Sequence, residues 1–188
     1  ALQSISLEFE NLPEAGVKLL SDVIRHVPAL QSISLRCFRG CGLTDDSLQI
    51  LSEAIRHAPA LQSISLEDGV LNDDRMMLLS EAIRHAPALQ SISFWCGGLT
   101  GDGMKLLIET IRDMQALTSI SLDGLRFSED RMKLLSEAIR HAPALKCISL
   151  RCPWGLKAKD IELLSEAIRH APALQSISLE AGIAEHQS

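Results

Sequence analysis

Apolar positions along this chain switch between two periods. In residues 60–66, Leu61, Ile64 and Leu66 are apolar and Ser63 and Ser65 stand between them. That alternation predicts a strand with one buried face. A variable stretch, residues 67–70, leads to Leu71. Asn72, Asp73 and Asp74 then offer side-chain oxygens for a helix start. Met76, Leu79 and Ile83 follow at i, i+3 and i+7, one face of a helix, while Glu81, Arg84 and His85 fall on the other side. Pro87 closes the segment, because a helix rarely continues into a proline.

The same strand, loop and helix recur along the whole chain. Ala-Leu-Gln-Ser-Ile-Ser-Leu stands intact at residues 1–7, 29–35, 60–66 and 173–179, and in edited form at 88–94, 116–122 and 144–150. The seven starts are separated by 28, 31, 28, 28, 28 and 29 residues. A fixed period of this size marks a stacked array. One copy cannot bury both its strand face and its helix stripe, but neighbours can do so together. Every copy has the same sense and returns through a helix, so the strands must be parallel. Helices need about twice the spacing of strands, roughly 10 Å against 4.8 Å, so the stack must curve with strands inside and helices outside. The expectation is one α/β solenoid over residues 1–188, a horseshoe of about six and a half repeats. Neither end carries a polar cap, which predicts a piece of a longer chain.

The Leu-x-x-Ile-x-Leu strand, the further leucine and the helix in a 28–29 residue period resemble the leucine-rich repeat. The period and the Cys-Gly-Leu-Thr beginning at Cys41 resemble its ribonuclease-inhibitor subfamily. The resemblance implies a horseshoe fold and a protein-binding role. It also implies Asn or Cys at the turn after each strand, bonding loop backbone. Here that position holds Glu10, Cys41, Gly69, Gly97 and Leu125. Glycine and leucine cannot make those side-chain bonds, so looser loops are expected.

A second period runs along the first residue after each strand motif. It reads Glu8, Arg36, Glu67, Trp95, Asp123, Arg151, Glu180: acidic in odd repeats, Arg or Trp in even ones. Neighbours in this column stand one strand apart, so opposite charges should pair across strands. Glu8, Arg36 and Glu67 should form one ladder and Asp123, Arg151 and Glu180 another, with Trp95 between them. This alternation resembles the paired repeat types of the ribonuclease-inhibitor subfamily.

Composition narrows the chemistry. Hydrophobic residues make up 46% and aromatic residues 3%, which fits a core of Leu, Ile and Ala layers. A net charge of −6 argues against nucleic acid as the partner. No apolar run of 18 or more residues is present, so no membrane span is expected. The five cysteines lack the spacing of a zinc site and form no paired framework, which predicts reduced thiols in a cytoplasmic setting. No cofactor is expected.

The strand serines repeat in two columns, Ser4, Ser32, Ser63, Ser91, Ser119 and Ser176 with Cys147, and the set beginning at Ser6. A nucleophilic serine needs a base and an oxyanion site at one distinct place, and equivalent copies offer none. His26, His57, His85, His141 and His170 recur at helix C-terminal turns, where a cation complements the dipole. Asp45-Asp46 and Asp73-Asp74 read as helix starts rather than calcium ligands. No enzyme is expected.

What varies is the loop after each strand and its first residues. A uniform scaffold with a diversified rim is the pattern of a recognition surface. Arg36, Phe38, Arg39, Glu67, Trp95, Asp123, Arg126, Arg151 and Trp154 are its candidate contact residues. Trp and Arg are enriched among interface anchors. The expected function is non-catalytic binding of a protein partner through the concave face and variable loops. The alternatives are the substrate-selecting arm of a larger enzyme, such as a microbial effector acting in a host cell or a ubiquitin ligase, and a structural or engineered scaffold. Uncapped ends also leave self-association open, head to tail.

Overall fold

The computed structural model describes residues 2–10, 12–37, 43–67, 71–126 and 128–182. Strands and helices alternate: β1 (Ser4–Phe9), α1 (Glu14–His26), β2 (Ser32–Cys37), α2 (Asp45–Arg56), β3 (Ser63–Glu67), α3 (Asp73–Arg84), β4 (Ser91–Trp95), α4 (Gly101–Asp113), β5 (Ser119–Asp123), α5 (Glu129–His141), β6 (Cys147–Cys152), α6 (Ala158–Arg169) and β7 (Ser176–Ala181). The strands form one sheet in sequence order, every neighbouring pair parallel. The architecture is a curved α/β repeat solenoid. Strands pack closer than helices, so the sheet takes the inner side.

The strand motif works as its alternation predicts. Ile33, Ile64, Ile92, Ile120 and Ile148 are buried and paired in one row; Leu35, Leu66, Phe94, Leu122 and Leu150 form the next. The intervening serines lie on the opposite face, where Ser32, Ser34, Ser63 and Ser65 are half-buried by their neighbours alone. Strand pairing begins before the regular ladder: Gln62 N–H and Ser63 N–H both donate to Gln31 O, at 2.7 and 2.9 Å.

The helices close the core from outside. Met76, Leu79 and Ile83 are buried, as are Leu48, Leu51 and Ile55. Buried Ala54, Ala82, Ala138 and Ala167 let adjacent helices approach. Ser21 and Ser136, also buried, donate across the gap to Ile50 O and Leu163 O at 3.4 and 3.3 Å.

Helix ends follow their residues closely. Thr44 Oγ1, Asn72 Oδ1 and Ser128 Oγ accept from the backbone N–H three residues on, at 3.1, 2.9 and 3.4 Å, and satisfy donors the helix leaves unpaired. The aspartates beside these caps reach the next repeat instead. Asp45 Oδ1 takes Arg75 Nε at 2.8 Å, and Asp73 accepts from the backbone and hydroxyl of Thr100. At the other end, His26 and His85 place Nδ1 2.7 and 2.8 Å from the carbonyl oxygens of Asp22 and Glu81, within each last turn. The closing proline is dispensable to the turn itself. In α4, where Met114-Gln115 replaces Ala-Pro, Met114 N–H still donates to Ile111 O at 3.2 Å.

Loop packing corrects one expectation. Leu125 makes no side-chain bond, but it is 2% exposed and fills the core beneath its loop. Asp123 holds the loop start, its carbonyl accepting Cys96 N–H of the preceding repeat at 2.7 Å and its Oδ1 accepting Gly124 N–H at 2.6 Å. A buried leucine and an aspartate together replace what one turn Asn would do. Cys41 and Gly69, two other turn positions, lie outside the described residues.

Candidate functional site

Strand parity decides where the variable column points. Glu8, Arg36, Glu67, Trp95, Asp123, Arg151 and Glu180 fall two residues beyond the second serine of each strand, so they share the concave face with the serines. The register aligns Glu8 with Arg36, Arg36 with Glu67, Trp95 with Asp123, Asp123 with Arg151 and Arg151 with Glu180.

Both charge ladders form. Arg36 donates from Nε to Glu67 Oε2 at 2.7 Å and from Nη1 to Glu8 Oε1 at 3.4 Å. Arg151 donates from Nε to Glu180 Oε2 at 2.7 Å and from Nη1 to Asp123 Oδ2 at 2.9 Å. The bond to Glu67 holds the Arg36 guanidinium above its ordinary pKa, and Glu180 with Asp123 does the same for Arg151. Each arginine thus sits between two carboxylates, and each triad carries a net charge of about −1.

Trp95 separates the triads. Its indole lies over the loop glycines: a Cβ built at Gly124 would come 2.8 Å from Cε2, and one at Gly97 would come 2.8 Å from Nε1. Gly124 also has φ of 72°, a left-handed conformation that other residues adopt at a cost. Trp95 and the flanking ladder residues Arg36, Glu67, Asp123 and Arg151 line one hollow on the concave face, with about 910 Å³ of non-atom space including open solvent.

Trp154 and Arg126 meet at the adjoining loop edge. The Arg126 guanidinium carbon stands 4.3 Å from the Trp154 ring centroid, a cation–π stack between the loops after β5 and β6. Trp154 remains 46% exposed. Arg126 is held from behind, since Arg131 Nη1 donates to its carbonyl at 2.9 Å. Phe38 and Arg39 lie outside the described residues.

The sequence separates the two charge ladders, with Trp95 between them, but does not mark the pairing of Arg126 with Trp154. The structure brings Arg36, Glu67, Trp95, Asp123 and Arg151 around one hollow. It pairs Arg126 with Trp154. Glu180, placed in the second ladder by the alternation of acidic odd repeats, completes that triad. One contributor is not marked in the sequence: Gly124, which seats the indole. Nothing local marks Gly124, because its role depends on a ring from the preceding repeat.

Two of the cysteines beside this strip are shielded from reaction. Cys96 and Cys152 point into the core behind it, and burial raises both thiols, Cys152 to about 11. Among the described residues, no three His, Cys, Asp or Glu side chains gather to hold a metal ion. No helix among them is long and apolar enough to cross a membrane.

No family model matches this sequence, and no curated protein matches it. Solved structures do resemble it in shape. Leiomodin-1 actin-binding site 2 superposes with a TM-score of 0.64 at 10% identity, over 80% of this chain and 86% of that one. The tropomodulin C-terminal domain of Caenorhabditis elegans gives a TM-score of 0.56 at 15% identity, over 90% of this chain and 84% of that one. At these identities the shared property is the fold, a repeat solenoid built on a parallel sheet.

Proposed function

We propose that this chain is a non-catalytic scaffold that binds a protein partner through its concave face and strand-to-helix loops. The observation that carries the reading is Trp95, a large aromatic that lines a hollow on a sheet face made mostly of serine and paired charges. Aromatic side chains framed by polar residues are typical anchors of protein interfaces. The part of leiomodin-1 that shares this fold is itself named an actin-binding site, so a solenoid of this shape serves as a binding surface in that protein.

The alternation of acidic and basic-or-aromatic repeats supports the finer likeness to ribonuclease-inhibitor-type arrays. The free thiols of Cys96, Cys147 and Cys152 fit a reducing compartment.

Capture from a cell lysate tests the reading, comparing the parent chain with a Trp95→Ala, Arg151→Glu double variant of matched circular dichroism. A protein held only by the parent chain, then confirmed by calorimetry with the purified pair, is the expected result. Equal capture by both moves recognition off the concave strip and overturns the reading.

A further inference from the structure

The ladder on the concave face has a missing rung. Even repeats 2 and 6 put Arg36 and Arg151 between acids of the strands on either side. Repeat 4 puts Trp95 there, with Glu67 on β3 before it and Asp123 on β5 after it. Two carboxylates therefore face each other across a position that supplies no charge. They stand two strands apart, about 10 Å, the span that each arginine bridges in its own triad.

We infer that this gap is a subsite for a cationic side chain of the partner, an arginine or lysine that lies over the Trp95 indole and between Glu67 and Asp123. The inference rests on the recognition reading above and names the chemistry of its central contact.

Three observations support it. First, the chain itself shows what the position accepts, because a guanidinium fills it in both neighbouring even repeats. Second, both carboxylates keep acceptor capacity. A carboxylate offers about four lone-pair directions. Arg36 takes Glu67 through Oε2 alone, and Asp123 spends one oxygen on Arg151 and the other on its own loop. Third, the indole is presented as a platform. Gly124 backs the ring, and Trp95 lines the hollow together with Glu67 and Asp123. Cations favour aromatic faces, above all indole, and desolvation in a hollow strengthens the contact. The same pairing is already made once in the molecule, where Arg126 covers Trp154. Among the described residues no cation covers Trp95.

The test uses small probes and the indole N–H resonances of the isotopically labelled chain. N-acetyl-arginine amide is titrated against N-acetyl-citrulline amide, a neutral side chain of the same length. The arginine probe should move the Trp95 resonance with an affinity at least about fivefold above that of the citrulline probe. Glu67→Gln should erase most of that preference, and Trp154, already covered by Arg126, should respond less than Trp95. Glu67 is exposed, so this variant keeps the fold. Equal response to both probes, or a preference untouched by Glu67→Gln, overturns the subsite. No protein partner enters this titration, so its failure is distinguishable from failure of lysate capture.

Discussion

The indole of Trp95 rests on the backbone of Gly124, close enough that a Cβ at that glycine would stand 2.8 Å from Cε2 and 3.0 Å from Cζ2. The contact joins repeats 4 and 5 and fixes the ring on the concave face. Two requirements therefore meet at Gly124, the absence of a side chain and a φ of 72°.

Gly124→Ala should cost about 1–3 kcal/mol, part from left-handed backbone and part from displacing the ring. Combining it with Trp95→Ala should remove the second part. Urea denaturation of the two single variants and the double variant measures the coupling. Strict additivity would mean that ring and glycine do not touch in solution.

Arg151→Ala removes two ion pairs at once, but the Arg151 side chain is 57% exposed, with Glu180 63% exposed and Asp123 24% exposed. Exposed pairs contribute little and are screened by salt. The expected loss is below about 1 kcal/mol at low ionic strength and close to none at about 1 M salt. Denaturation midpoints at both ionic strengths check this. The small cost means that these charges can be rearranged without unfolding the sheet.

Glu129 ties the start of α5 to α6. Hydrogen bonds from Lys159 at 2.7 Å and Lys133 at 2.9 Å hold its carboxyl down at about 2, against an ordinary 4.5. A depressed carboxyl stabilises the fold fully above its unfolded value. That contribution is lost as pH falls from about 4.5 through about 2. Glu129→Gln should flatten the fall of the thermal midpoint in that window alone and leave the profile above it parallel to the parent. The group is exposed, so high salt should shrink the difference.

Cys147 replaces a serine on the open face, flanked by Ser119 and Ser176, and is exposed. Cys96 and Cys152 are buried, and their raised pKa values keep them as thiols near neutral pH. Labelling with DTNB under native conditions should modify Cys147 and spare the two buried thiols until the chain unfolds. Cys147→Ser should remove that fast reaction with a stability change within about 0.5 kcal/mol, the usual range for surface substitutions.

Much of this protein is written in its local periods. The alternation around Ile64 and Leu66, the Met76–Leu79–Ile83 stripe and the exact copies of the strand motif are enough to set strands, helices, their order and the parallel stack, because each copy must bury the same faces against the next. The ladders were legible for the same reason: once strands stack in order, Arg36 must stand beside Glu8 and Glu67. Tertiary structure decided what depends on the reach of a side chain across repeats. It laid Trp95 on Gly124, stacked Arg126 on Trp154, tied Asp73 to Thr100 and turned Leu125 inward. A period records which residues recur along the chain. Rotamer and loop geometry, chosen by packing after the strands align, determine which of them touch.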